Sequence, residues 1–317
     1  MIGAFSPYHG VSFINFFIVF FSRLLSGKLF TSQLFIDDIQ IIVFLMLAIS
    51  GACVGTFLVL KKMAMYANAV SHTVLFGLVC ICLFTQQISS LSLRDLTLAS
   101  ICTALLTGFM IYFIRNLFQV SEEASTALVF SLLFSLSLVL LVFLTRNAHI
   151  GTELVLGNAD SLAVGDIFPM FVILICNLVL SLITFRSFIC VSFDSVFSSS
   201  IGIPVKLVDY LMILQLSANL VCAFKAIGVL MALAFLLIPG LTSKLFVTSV
   251  REMLFWSLVF GLVAALLAPA LSRAFLTYFN IGLSTAGLSV FILASIYCLV
   301  ALYNHKKKCY NRSSSKA

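Results

Sequence analysis

The stretch 61–77 reads KKMAMYANAVSHTVLFG and holds the residues best suited to chemistry. Asn68 and His72 lie four apart, so on a helix they share one face, with Ser71 beside them. The apolar residues around them place the segment in a membrane span. Polar groups there cost several kcal/mol when they face lipid, and they normally point into the bundle. A neutral imidazole turned toward a cavity is a good ligand for a transition-metal ion, and an amide oxygen is a weak one. The simpler alternative is that His72 hydrogen-bonds a neighbouring helix. On the residues alone that alternative is the commoner case.

Three further groups could carry function. Glu122 and Glu123 follow Ser121 at the head of an apolar run, where acidic side chains suit a helix N-terminus. The segment FDSVFSSSIGIP contains Asp194 as a helix-starting residue and Gly202 as a breaker, which predicts a short polar helix between two spans, a natural docking surface. His149, Glu153 and Asp160 lie in a loop at irregular spacing, which a solvated loop explains better than a capture site. The nine cysteines are scattered, and most sit in apolar stretches where Cys acts as a small hydrophobe. No nucleotide-binding loop is present. Ser26-Gly27-Lys28 is a partial match, but Ser22 stands at the first glycine position and Leu29 follows the lysine. Any ATP hydrolysis therefore has to reside on another subunit.

The elements that position these residues follow from composition. Of the 317 residues, 62% are hydrophobic and only 9% charged, against about 25% charged in soluble domains. A chain this apolar needs a bilayer. The spacing predicts nine spans, at 39–60, 67–84, 96–117, 124–144, 167–185, 207–224, 226–247, 253–276 and 286–303, each close to the ~20 residues that cross a membrane. Pro239-Gly240 should kink or break the seventh, and one short span could be re-entrant, so the count is eight to nine. The fold class is all-α, a polytopic transmembrane helical bundle. An interfacial N-terminal segment (1–36) precedes the membrane domain (37–303), and a disordered polar tail (304–317) follows it.

The net charge of +7 could suggest nucleic acid, but the charges sit at span ends. With the N-terminus outside, twelve of the eighteen Lys and Arg fall on the cytoplasmic side and six on the outer side. This is the bias of the positive-inside rule, and it places the C-terminus in the cytoplasm.

The motifs in order resemble the permease family of ABC importers for divalent metals (manganese, zinc, iron). Asn68-Ala-Val-Ser-His72-Thr-Val-Leu-Phe-Gly77 is similar to that family's Asp-Ala-Ile-Ser-His-Ala-Val-Leu-Pro-Gly. Ser121-Glu122-Glu123-Ala124, Leu156-Gly157-Asn158, Phe193-Asp194 with Gly202-Ile203-Pro204, and Lys225-Ala-Ile-Gly-Val-Leu230 with Ile238-Pro239 match further family segments. The likeness runs over about residues 38–300.

The resemblance implies roles for these positions. His72 would contact the transported metal ion, with Asn68 in the place of a ligating Asp. Phe193, Asp194, Ser198, Gly202, Ile203 and Pro204 would form the segment that docks into an ATPase. Glu122 and Glu123 would lie at the cytoplasmic mouth, either attracting a departing cation or simply starting a helix. The implied partners are cytoplasmic ATPase subunits, a metal-binding protein outside the bacterial inner membrane, and a second permease subunit. The transported ion (Mn, Zn or Fe) is cargo, and no permanent cofactor or nucleic acid is implied. Three departures stand out: Asn68 for Asp, Phe76 for Pro, and Gly282-Leu-Ser-Thr-Ala286 for Asp-Leu-Pro-Thr-Gly. The loss of the Asp predicts a different partner permease that retains it. The rival expectations are a permease for a metal chelate, siderophore or vitamin, and an ATP-independent secondary transporter.

Overall fold

Backbone N–H and C=O groups find no partner in hydrocarbon, so an apolar chain must satisfy them within its own helices. The computed structural model describes residues 7–8, 10–26, 34–85, 93–145 and 159–314, and helices dominate throughout. In chain order these are α1 (Phe13–Leu25), α2 (Ile36–Leu60), α3 (Ala64–Thr85), α4 (Leu93–Phe118), α5 (Glu122–Thr145), α6 (Ile167–Ile183), α7 (Phe185–Phe193), α8 (Ser195–Ser200), α9 (Val205–Ile227), α10 (Val229–Lys244), α11 (Val250–Phe279) and α12 (Thr285–Ser314). Each of the nine expected stretches is covered mainly by one helix, with breaks inside 167–185 at Thr184 and inside 226–247 at Gly228. By length and composition, six helices qualify as spans among the described residues: α2, α3, α5, α6, α11 and α12.

The most buried helix, α2, is the axis of the molecule. It packs mainly on α10, α11 and α6, while α12 closes the block against α10 and α11. Its glycines allow that approach. A Cβ on Gly51 would lie 2.8 Å from the Phe235 carbonyl oxygen, and one on Gly55 would overlap the Leu236 carbonyl oxygen. Pro239 has no N–H to offer the Phe235 carbonyl one turn back. That carbonyl is the one facing Gly51. The helix nevertheless runs unbroken through Pro239 from Val229 to Lys244. The expected break lies instead at Gly228, whose φ of +87° separates α9 from α10.

A second group, α3 with α4 and α5, stands beside this block, and α9 packs against both. The two ends of the bundle are marked by polar contacts. At one end Lys61 pairs with Asp209, Lys244 Nζ donates to the Val59 carbonyl at 3.3 Å, and Asn304 donates to the Leu245 carbonyl. At the other end Arg273 Nε meets Asp37 at 2.6 Å, and Gln40 reaches Asp160 and Thr285. The up-and-down order read from the sequence requires this sorting of residues. One departure is the tail: α12 continues past position 303 to Ser314 instead of ending in disorder. The Asn304 bond anchors that extension to the end of α10.

Candidate functional site

Two residues inside α3 bring its polar face together. Asn68 and His72 occupy successive turns, and the hydroxyl of Ser71 donates to the Asn68 carbonyl at 2.7 Å. At 1.5 Å per residue, His72 sits about 12 Å along α3 from its start at Ala64. Its Nδ1 is buried and makes no hydrogen bond among the described residues. The ring lies instead against two phenyl rings of α5, 5.1 Å from Phe130 and 5.2 Å from Phe134 between centroids. The packing role expected for a lone intramembrane histidine needs an interhelical hydrogen bond, and none is made at Nδ1. The α3–α4 contact uses a different pair, with Thr107 Oγ1 donating to Thr73 Oγ1 at 2.9 Å. One and a half turns before His72, Tyr66 buries a hydroxyl that has no hydrogen bond among the described residues against Gly108, where a Cβ would lie 2.9 Å away. Among the described residues, no three His, Cys, Asp or Glu side chains gather into a metal-binding group.

The acidic pair lies at the start of α5. Ser121 caps the helix, its hydroxyl accepting from Ala124 N–H at 3.3 Å. Glu122 and Glu123 therefore fill the first two helical positions, where the N–H dipoles favour carboxylates, and the Glu123 side chain is exposed. His149, Glu153 and 156–158 lie outside the described residues. Asp160 is tied into structure more firmly than a solvated loop would tie it: its Oδ1 accepts from Thr285 Oγ1 at 2.6 Å and from Gln40 Nε2 at 3.1 Å.

The segment 193–204 is a capped helical knuckle. Asp194 Oδ1 accepts from the N–H groups of Val196 (2.9 Å) and Phe197 (3.0 Å), starting α8. At its end Gly202 takes φ +84°, and two bonds close the turn: Gly202 N–H to the Ser199 carbonyl and Ile203 N–H to the Ser198 carbonyl. That pair of bonds is a Schellman cap, which requires a residue in the left-handed region where glycine is favoured. Ser198 is fully buried and donates to the Asp194 carbonyl at 2.6 Å. Pro204 then leads into α9. Phe193, Val196, Phe197 and Ile201 are exposed and form an apolar knob. Beneath it, Phe188, Val191 and Ile203 pack with Phe57 of α2 and with Val208 and Met212 of α9.

Sequence reasoning missed two features. The first is the pair of rings over His72, for which the i,i+4 spacing of Phe130 and Phe134 was the available signal. The second is the ionic seal at the Asp37 end. Asp38 is wholly buried and accepts from Tyr8 Oη (2.6 Å), Arg23 Nη2 (2.8 Å) and the Phe35 N–H (3.2 Å). Burial, and then the bond to Asp38, pushes the Tyr8 phenol well above its usual range, so it remains a neutral donor. Asp37 is buried beside it against Arg273. The acidic residues are legible in the sequence, but their partners come from positions 15 and 236 residues away.

A bundle of spans with an imidazole inside whose Nδ1 has no hydrogen bond among the described residues, and a capped apolar knob at one end, has the architecture of a transporter's membrane subunit. The model of the ABC 3 transport family matches residues 38–304, and the chain belongs to that family. It is 65% identical over 311 residues, 98% of this chain and 96% of the other, to a protein of Chlamydia pneumoniae called a probable metal transport system membrane protein. It is 30% identical over 254 residues, 76% of this chain and 83% of the other, to the manganese transport system membrane protein MntD of Bacillus subtilis. Among solved structures, PsaBC from Streptococcus pneumoniae in complex with Fab has the same fold, with a TM-score of 0.73 at 22% identity, covering 90% of this chain and 95% of that one.

Proposed function

We propose that this chain is the membrane-spanning permease of an ATP-driven importer that carries a divalent transition-metal ion into the bacterial cytoplasm, with ATP hydrolysis on separate subunits. The observation that carries the reading is the likeness over nearly the whole chain to membrane proteins named for metal transport. The structural support is His72, whose Nδ1 lone pair or N–H is buried and unused. Imidazole is a ligand that manganese, iron and zinc all accept, so the residue alone does not choose among them.

The Lys61 end is cytoplasmic in this reading, by the distribution of Lys and Arg, and the C-terminal extension of α12 lies there too. The knob of α8 docks into a groove of the ATPase, with Phe193, Val196 and Phe197 as anchors. Phe193, Asp194, Ser198, Gly202, Ile203 and Pro204 play distinct parts in it: the phenyl ring inserts, while the others hold the turn. Glu122 and Glu123 sit on the same side, where a cation would leave. A metal-binding protein delivers the ion at the Asp37 end.

His72 and Asn68 give at most two donors, whereas metal sites of this kind need four to six. The remaining ligands come from a second permease facing this one, or from water. Asn68 offers a weak amide oxygen where a carboxylate would bind hard, so the partner is a different permease that keeps the acid. Isolation of an active complex holding this permease alone with its ATPases would count against that pairing.

The deciding experiment is uptake of radiolabelled manganese, zinc and iron into proteoliposomes that enclose ATP and hold the whole complex. ATP-dependent uptake of one ion is expected, abolished by His72→Ala while the ATPase stays bound. Uptake of no ion, or undiminished uptake by the variant, would refute the metal path through His72.

A further inference from the structure

We propose that Phe130 and Phe134 of α5 form an aromatic lid on the Nδ1 edge of His72, so that a cation meets that nitrogen only after those rings have left it. The inference rests on the metal-import reading above for its purpose, but its geometry stands independently. The two phenyl rings occupy one face of α5, four residues apart, stacked with centroids 5.7 Å apart and planes 22° from parallel. The imidazole meets both, tilted 49° to Phe130 and nearly edge-on, at 67°, to Phe134. Its Nδ1 is closed off without a hydrogen bond. Buried polar nitrogens are rarely left so.

A transition-metal ion bound to a ring nitrogen must approach in the imidazole plane at about 2.0–2.1 Å, bringing its other ligands with it. The phenyl rings offer no donor atoms and contribute only bulk. They can hold the site shut, and they cannot take part in coordination.

The lid also has an anchor and a space to move into. Phe134 packs with Leu75, Val79 and Leu141 of the α3–α5 seam, so it is held by the apolar contact between the helices. Phe130 lies one turn nearer Glu122 and Glu123, outside that cluster. Both rings are only partly buried, so outward rotation has room toward the surface of the chain. Phe130 moves first, and Phe134 follows when the α3–α5 seam loosens.

The test reads access to His72 without any metal. The full chain in its native membranes, with its partners, is treated with diethyl pyrocarbonate, and carbethoxylation of each histidine is followed by mass spectrometry. His305, exposed on the extension of α12, is the internal standard. In the parent, His72 is expected to react about tenfold more slowly than His305, and in Phe130→Ala/Phe134→Ala the two rates should come within about threefold, as for a site released from local opening. Phe130→Leu/Phe134→Leu keeps the seam apolar but removes much of the bulk that covers Nδ1, and serves if the alanine pair fails to reach the membrane; its His72 rate should rise at least severalfold. A parent His72 as reactive as His305, or a rate unchanged by both double variants, overturns the lid. Manganese uptake by the same membranes reads the cargo separately. Faster labelling with no ion ever transported would keep the lid and remove the metal reading, whereas unchanged labelling with intact uptake would do the reverse.

Discussion

Adding one methyl group at three glycines of the α2–α10 seam should produce a graded loss of stability in an order set by the backbone. At Gly55 the new Cβ would overlap the carbonyl oxygen of Leu236, at Gly51 it would lie 2.8 Å from that of Phe235, and at Gly240 its nearest neighbour is the Gly55 oxygen at 3.4 Å. The last distance is tight but real, the middle one requires the helices to part by roughly half an ångström, and the first requires considerably more. These neighbours are helix backbone, which cannot rotate away as a side chain does. Overpacking in a close-packed interior costs about 1–3 kcal/mol and occasionally more. Gly240→Ala is therefore expected to cost less than about 1 kcal/mol, Gly51→Ala about 1–3 and Gly55→Ala at least about 3. In a bilayer, van der Waals contact is the main force holding helices together, so little compensates for separation. Thermal unfolding of the purified protein in one detergent, followed through its single tryptophan, would give the order. Gly55→Ala as stable as Gly240→Ala would refute the close approach of α2 and α10.

Three other perturbations follow from the same contacts. Asp194→Ala removes the acceptor for two N–H groups at the start of α8 and should cost about 1 kcal/mol locally, seen as faster hydrogen exchange over residues 195–200 and weaker ATPase association. Gly202→Ala places a side chain at φ +84° and should cost about 1–2 kcal/mol by the left-handed strain, with the same exchange signature. Breaking the Arg23–Asp38 pair should be costlier from the basic side, about 3 kcal/mol for Arg23→Gln, because it leaves the wholly buried Asp38 carboxylate without its counter-charge, and milder for Asp38→Asn, which leaves an arginine with 12% exposure. A double-mutant cycle between the two, read by thermal unfolding, should show coupling well above about 0.5 kcal/mol, and additivity would mean that α1 is not held through this pair.

The parts of this fold that were legible in the sequence are those governed by local chemistry. Nine apolar runs announce nine helices because lipid leaves the backbone no alternative. Asp194 and Gly202 mark the ends of α8 because an N-cap needs a short acceptor side chain and a Schellman turn needs a residue tolerant of positive φ. What stayed hidden depends on contacts between distant segments. Pro239 reads as a helix breaker, yet α10 continues through it. Asn304 reads as the start of a disordered tail, yet its amide finds the Leu245 carbonyl and the helix goes on. His72 was visible as a polar residue in a span, but its covering by Phe130 and Phe134 depends on the rotation of α5 against α3, which no single-helix pattern contains.

The arrangement of the helices also determines where a push on α8 can go. The knuckle rests through Phe188 and Val191 on Phe57 of α2 and Met212 of α9, and Lys61 joins Asp209 across the same two helices. α2 cannot slide independently of α10, because at Gly51 and Gly55 the two backbones touch without intervening side chains. A displacement of α8 is thus passed to the α2 block as a unit and to α9. His72 lies outside that block, in the seam between α3 and α5, where the contacts are side chains such as Leu75, Val79 and Leu141. Side-chain seams can repack between rotamers, whereas backbone contacts of the Gly55 kind have one arrangement. In the proposed coupling, motion relayed by α9, the helix packed on both groups, would meet its least resistance at α3–α5, and there it would change what surrounds the imidazole.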